Sequence, residues 1–537
     1  MAGAGVLMLA VFLGPRSRLP VIPRSDADKD VLRVAYVLPL WPDPQYRGYP
    51  PPTQNQFVLC LWEPLIECDP ETGQPQPAAA AGWRWSDDRR TLTLNLRRDG
   101  RWSNGEPVTA QDFVRGWRRL LQQDSAQAAV LFPVENAEKI HREKVGEPDG
   151  LGVEAVDDFT LRIRLNAVRS TFVAELADPL LSPRHASTDD VLNSQRYLRD
   201  PKSLLSNGAF CLEQAHAGGY RLEINRHYHG RAAVRLAGVE YLCADSFRMA
   251  RLLVAAGRAD LMAPVPPGAP VALPTDRCLT EESEMALVVT ALDLNVTRGP
   301  LGDPRVRRAL ALAMDRAGSI RPNDVDRMVP AYAWVPDMPG RPGLTLRKED
   351  ADEARRLLAE AGYPGGEGFP VLVMPVIVRD ANYSYWQAWT ERWYRELGIR
   401  TYLAYQTEDE RKRCMKTGDY DVYPSGLIAT VPDAGDMLGS FAFPEIYSGT
   451  RWDSPEIKRL MAEANNKTGL ERLQCLERIE RVAMDAVPTI PMMFERRRTL
   501  MSIEVDGWYA DPLGRQALKR LSLRPLAGGE PAGTHPL

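Results

Sequence analysis

Between residues 91 and 96 polar and apolar positions alternate, Thr91, Thr93 and Asn95 against Leu92, Leu94 and Leu96, which is the period of a strand with one buried face. Asp99-Gly100 breaks that period with a residue pair suited to positive φ, and Asn104-Gly105 marks a second turn. Thr109 is then placed to cap a helix with its hydroxyl. Phe113, Val114, Trp117 and Leu120 recur at helical spacing, so Arg115, Arg118 and Arg119 are expected to point to solvent. Short strands are expected at 31–37, 161–165 and 220–224, and helices at 56–67 and 245–256. The second half predicts longer helices. Asp303 caps one, with Pro304 in its first turn and Val306, Ala309, Leu310 and Ala313 striping one face. Another spans 352–361 and ends at Gly362, while Trp386, Trp389, Trp393 and Leu397 fall on the core side of a third. Ser454-Pro455 opens a further helix and 470–484 carries the last. Helices interleaved with short strands imply an α/β architecture.

Several of these segments carry recognisable wording. Asp99-Gly-Arg-Trp-Ser-Asn-Gly-Glu-Pro-Val-Thr-Ala-Gln-Asp112 resembles the Gly-x-Trp-Ser-(Asn/Asp)-Gly-x-Pro-Val-Thr-Ala-x-Asp segment of bacterial periplasmic oligopeptide-binding proteins, the peptide and nickel solute-binding family of ABC importers. Asp303-Pro-Arg-Val-Arg-Arg-Ala-Leu-Ala-Leu-Ala-Met-Asp-Arg316 and Ala354-Arg-Arg-Leu-Leu-Ala-Glu-Ala-Gly-Tyr363 resemble two further family motifs. Gly418-Asp-Tyr-Asp421, Pro432-Asp433, Ser454-Pro-Glu456 and Val487-Pro-Thr-Ile-Pro491 follow in the family's order. Together they extend from about 31 to 525.

The resemblance implies a type II periplasmic-binding-protein-like α/β fold of two lobes with a small extra α+β domain in the N-terminal half. Lobe I is expected from 31–60, 200–275 and 490–525, the extra domain from 61–199, and lobe II from 276–489. The chain is expected to cross between lobes near 276–286 and to return near 487–494. The implied function is capture of an extended peptide between the lobes, for delivery to ABC permease subunits, by an extracytoplasmic monomer without catalytic activity or cofactor.

In that family a peptide pairs with protein main chain and an acidic residue takes its α-ammonium. The corresponding run here is 426–436, in which Leu427 stands for the family's Trp, Thr430 for its amine-binding Asp and Val431 for its Tyr. Gly426, Leu427, Ile428, Thr430, Asp433, Met493 and Phe494 are therefore the candidate ligand-binding residues. The first and third offer backbone groups, Asp433 or Asp436 offers a substitute acid or else a turn cap, and Met492-Met493-Phe494 offers an apolar wall or else core packing. The departures at Leu427, Thr430 and Val431 leave open a non-peptide solute, or a membrane-tethered sensor or scaffold that no longer serves transport.

Composition narrows the field. A net charge of −4 over 537 residues, with arginines dispersed among acids, argues against nucleic-acid binding; Arg496-Arg497-Arg498 reads as the solvated end of a strand. Cys60, Cys68, Cys211, Cys243, Cys278, Cys414 and Cys475 stand singly, without a Cys-x-x-Cys pair. The chain lacks Gly-Lys-Ser/Thr, Gly-x-Ser-x-Gly and His-Glu-x-x-His sequences, so it reads as neither the transporter's ATPase nor a familiar hydrolase. His227-Tyr-His229 could supply two metal ligands from one strand face, with a structural role as the favoured alternative. Residues 1–14 have the length and apolarity of an export-signal core or short anchor, without a basic start or a lipobox cysteine. The Gly- and Pro-containing end, 526–537, is expected to be disordered.

Overall fold

The computed structural model describes residues 28–37, 39–45, 52–70, 72–123, 125–143, 150–216, 218–263, 279–338, 341, 343–344, 348–377, 383–442, 449–509 and 511–524. The expected signal or anchor at 1–14, the first residues of the expected crossing at 276–278, and the tail at 526–537 lie outside them. Helices and parallel and antiparallel strands alternate along the chain, and the fold is α/β.

The central sheet is built around two unusually long strands, Leu279–Leu294 and Thr489–Ser502, which run antiparallel through the middle of the molecule. From one edge the sheet order is Val422–Ile428, Leu279–Leu294, Thr489–Ser502, Leu261–Met262, Val31–Tyr36, Gly238–Cys243, Gly219–Ile224 and Phe210–His216, with Met328–Pro330 branching from Thr489–Ser502. Val31–Tyr36 is parallel to both its neighbours. At one end Met501 and Leu500 pair with Leu261 and Met262, and at the other Val288 to Leu294 pair with Ile428 to Val422. Between these ends the register slips, from Met285 opposite Arg496 to Val289 opposite Phe494. A bulge of this kind bends a strand pair locally.

A separate four-stranded sheet, in the order Ala80–Trp85, Thr91–Leu96, Thr160–Arg164 and Val153–Asp157, carries the alternating leucines. Leu92, Leu94 and Leu96 are buried, as their period requires, and join Leu32, Val34, Phe113, Trp117 and Leu161 in one core. The helix after it, Ala110–Gln122, starts at Thr109, but the cap is made mainly by Asp112. Its Oδ2 accepts from the Thr109 backbone N–H at 2.9 Å and from the Thr109 hydroxyl at 3.1 Å. Of the three arginines expected in solvent only Arg118 is exposed. Arg115 reaches Asp112 and the Arg184 carbonyl, and Arg119 reaches Gln45, Asp43 and Asp189, because the helix is flanked by chain on that side too.

Helices cover both faces of the long strands. Pro304–Leu312, Ala351–Glu360 and Tyr383–Leu397 pack on one face around Trp386, Trp389 and Trp393. Burying each large apolar side chain contributes about 2 kcal/mol, provided its polar atom is paired. The Trp389 and Trp393 indole N–H groups donate to Ser319 Oγ and the Leu310 carbonyl, each at 2.9 Å. Ala434–Ala442, Pro455–Asn466 and Gly469–Ala486 pack on the other face around Trp334 and Phe441.

Two sequence expectations change, and at His227 and His229 the structure shows contacts of the favoured structural kind. The helix expected at 56–67 is Pro52–Leu61, followed by the strand Ile66–Cys68, since Pro64 has no N–H to continue a helix. Arg496, Arg497 and Arg498 lie inside Thr489–Ser502; Arg497 donates to the Pro512 carbonyl at 2.6 Å and Arg498 pairs with Glu281. His227 lies against Gly105, and the Nε2 of His229 is 2.8 Å from Glu63.

Candidate functional site

Val422–Ile428 is an edge strand. Ala429 N–H donates to the Leu287 carbonyl at 2.9 Å, and the Asn295 N–H donates to the Asp421 carbonyl at 2.9 Å, so alternate residues from 421 to 429 face the long strand. By the two-residue period, the backbone groups of Gly426 and Ile428 point the other way, to the open side of the sheet. Pro424 shares that outward parity, where its missing N–H costs no ladder bond. Gly426 is demanded by its inner neighbour, because a Cβ there would lie 2.6 Å from the Val289 carbonyl oxygen.

Beside this edge lies a cleft of about 650 Å³. Ile428, Thr430, Asp436 and Arg472 form part of one wall. The facing wall comes from far away in sequence, chiefly Val130, Phe132, Val168, Arg169, Glu175 and Leu180. Polar contacts already cross it. Ser170 Oγ donates to Asn465 Oδ1 at 3.2 Å and accepts from Arg472 Nε at 3.2 Å, and the Arg169 guanidinium stands 3.9 Å from Asp436 Oδ1.

Thr430 is exposed at the mouth of this cleft, with Asp436 behind it. Asp436 Oδ2 accepts from the Thr430 N–H at 2.6 Å and from the Val431 N–H at 3.3 Å, and the Thr430 hydroxyl donates to Oδ1 at 3.1 Å. Burial and then the nearby Glu175 push the Asp436 carboxyl up to about 6, against those hydrogen bonds and Arg169. Asp433 faces elsewhere. Both its oxygens take Arg472, at 2.7 and 2.8 Å, and one also accepts from the Gly435 N–H at 2.6 Å, so it pins the loop to the helix Gly469–Ala486.

Of the seven candidate residues, Ile428 and Thr430 therefore line this cleft, and Gly426 lies on the same edge strand. Leu427 is half-buried against the core that holds Phe441 and Leu438. Met493 and Phe494 are buried in cores on the helical faces, and neither borders a described cavity. The reason is topological: Thr489–Ser502 is paired along both edges, with Leu279–Leu294 and Met328–Pro330, and helices pack on both its faces. Arg169, Glu175, Arg472 and Arg515 were beyond sequence reasoning, since their nearness to residues 428–436 exists only in the fold.

A second cavity, of about 500 Å³, adjoins the first at Leu513 and Arg515. Trp62, Ile66, Cys68, Met285 and Pro512 make much of its lining, with Glu284 among them. Glu284 accepts from the Asp511 N–H at 2.8 Å and from Gln516 Nε2 at 3.0 Å, and burial pushes its carboxyl up to about 7.

Long central strands with helices on both faces, and a cleft beside the sheet edge, give the architecture of an α/β binding protein. The chain belongs to the bacterial extracellular solute-binding proteins, family 5, whose model matches residues 74–449. It is 26% identical to the oligopeptide-binding protein OppA of Bacillus subtilis over 449 residues, 79% of this chain and 80% of that one. It is also 26% identical to the periplasmic murein peptide-binding protein MppA of Escherichia coli, over 81% of this chain and 82% of that protein. Among solved structures, the unliganded open form of the murein tripeptide binding protein MppA superposes with a TM-score of 0.77 at 25% identity, covering 92% of this chain and 98% of that one. These likenesses support the type II periplasmic-binding architecture inferred from the motifs.

Proposed function

We propose that the chain is the substrate-binding component of an ABC importer, taking up peptides in the cleft between residues 428–436 and 127–180 and presenting them to a membrane permease. The observation that carries this is the outward-facing backbone of Gly426 and Ile428 beside a cleft of about 650 Å³. An extended peptide laid there adds a strand to the sheet edge, so its affinity comes from main-chain hydrogen bonds that any sequence supplies. Relatives matched over four-fifths or more of their length include oligopeptide-, dipeptide- and murein peptide-binding proteins, beside one probable deoxycholate-binding protein.

Capture needs no bond to be broken, so the proposed role is binding without turnover. Closure is proposed to bend the two long strands at the register slip between Met285 and Val289, where the end of the expected crossing at 276–286 meets the end of that at 487–494. Ligand held on both walls then favours the closed form in proportion to its preference for it. The protein is proposed to act outside the cytoplasm as a monomer; among the described residues no helix is long and apolar enough to cross a membrane.

Thermal melts against synthetic peptide pools test the assignment. Binding the native state adds RT ln(1 + [L]/Kd) to its stability, so an upward shift that grows with peptide concentration is expected. Melts that stay flat with every peptide pool while a non-peptide solute shifts them would overturn it.

A further inference from the structure

The cleft wall is charged, and an arginine of the chain stands near each of its acids, Arg169 serving two of them. Among the described residues that line it, four are carboxylates, and an arginine lies within ion-pair distance of each: Glu138 with Arg142 at 2.5 Å, Glu175 with Arg169 at 2.6 Å, Asp178 with Arg515 at 2.7 Å, and Asp436 with Arg169 at 3.9 Å. Three of these acids also serve the chain's own hydrogen bonds. Glu175 Oε1 accepts from the Thr171 hydroxyl at 2.6 Å, Asp178 Oδ1 from the Leu180 N–H at 2.9 Å, and Asp436 from Thr430 and Val431. Three guanidinium groups, those of Arg169, Arg472 and Arg515, border the same space.

We propose that this cleft selects oligopeptides whose N-terminus carries no free ammonium, N-acylated chains being the class it fits. An ammonium leaving water for this wall must displace an arginine from its acid or sit beside a guanidinium of like charge. An acyl cap brings no such cost, and its carbonyl and the following amides use the edge-strand groups at Gly426 and Ile428 as any peptide unit does. Arg169 is the specificity-determining residue, because it occupies the space in front of both Glu175 and Asp436.

The inference rests on the peptide-binding reading, and the test separates the two. Matched libraries of synthetic tetra- and pentapeptides, free and N-acetylated, are titrated calorimetrically into the purified full chain. The acetylated forms are expected to bind about tenfold tighter or more, from the cost of an imperfectly paired buried charge. In Arg169→Gln, which leaves Glu175 and Asp436 without that guanidinium, free-amine peptides should gain and the ratio should fall toward unity. Equal or tighter binding of free-amine peptides by the unaltered protein overturns the proposal whether or not the variant folds. Loss of that free-amine preference in Glu284→Gln would move the ammonium to the adjoining cavity and equally overturn it. If neither form binds, the peptide reading itself fails, and the proposal with it.

Discussion

The two cavities meet at Leu513 and Arg515, and they differ in how their acids are held. In the larger, every lining carboxylate among the described residues has an arginine within reach; in the smaller, Glu284 is held by a backbone N–H and an amide and is pushed up to about 7 by burial. Glu63, on the same cavity, shows what a cation changes. Burial alone would raise it, but Lys519, and then His229 and Tyr228, bring it down to about 2. Burial by itself therefore does not set the charge of a wall; the partner does. A wall whose acids face arginines discriminates against an added charge, whereas an acid held by neutral donors, with Arg497 a weaker influence, answers to pH.

The largest expected effect tests the pairing itself. Asp178→Ala leaves the Arg515 guanidinium largely buried and unmatched where the two cavities join, and should cost about 2 kcal/mol of stability in urea unfolding. A cost near zero would show the pair to be ornamental and blur the contrast between the cavities.

Glu284 gives the next largest. Its native carboxyl titrates at about 7 against an ordinary 4.5, so the native state holds the proton more tightly than the unfolded chain between those values. Stability from this group is complete below about pH 4.5 and is lost as the pH climbs through 7. Glu284→Gln should thus stabilise the protein by about 1 kcal/mol at pH 8 and by little at pH 5, as pH-dependent denaturation would show. Glu63 runs the other way: its contribution is complete above about 4.5 and vanishes as the pH falls through 2.

The smallest effect is at Thr430. Thr430→Asp adds a carboxylate at the mouth of the cleft and should tighten free-amine peptides by about threefold while leaving N-acetylated ones unchanged. Equal effects on both would place Thr430 outside the ligand's N-terminal environment.

Much of the fold was legible in local patterns. The leucines at 92, 94 and 96, the helix starts at Asp303-Pro304 and Ser454-Pro455, and the tryptophans at 386, 389 and 393 all report burial through period or capping, and each behaves accordingly in the structure. The cleft was legible on one side, because Ile428 and Thr430 sit in a recognisable run. Met493 and Phe494 carried two readings, since an apolar triplet reads the same whether a strand lies at a cleft or inside a sheet covered on both faces. The arginines at 169, 472 and 515 carried no local signal at all. Their meaning depends on which acid each meets, across separations of up to several hundred residues.

The central claim is that the cleft holds an extended peptide whose end brings no positive charge. The most direct measurement is mass spectrometry of the small molecules released when the protein, purified from cells grown on a peptide-rich medium, is denatured. Short peptides lacking a free N-terminal amine, in near-stoichiometric amount, are the predicted result. Release of a non-peptide solute instead, or of peptides with free N-termini, would contradict the account.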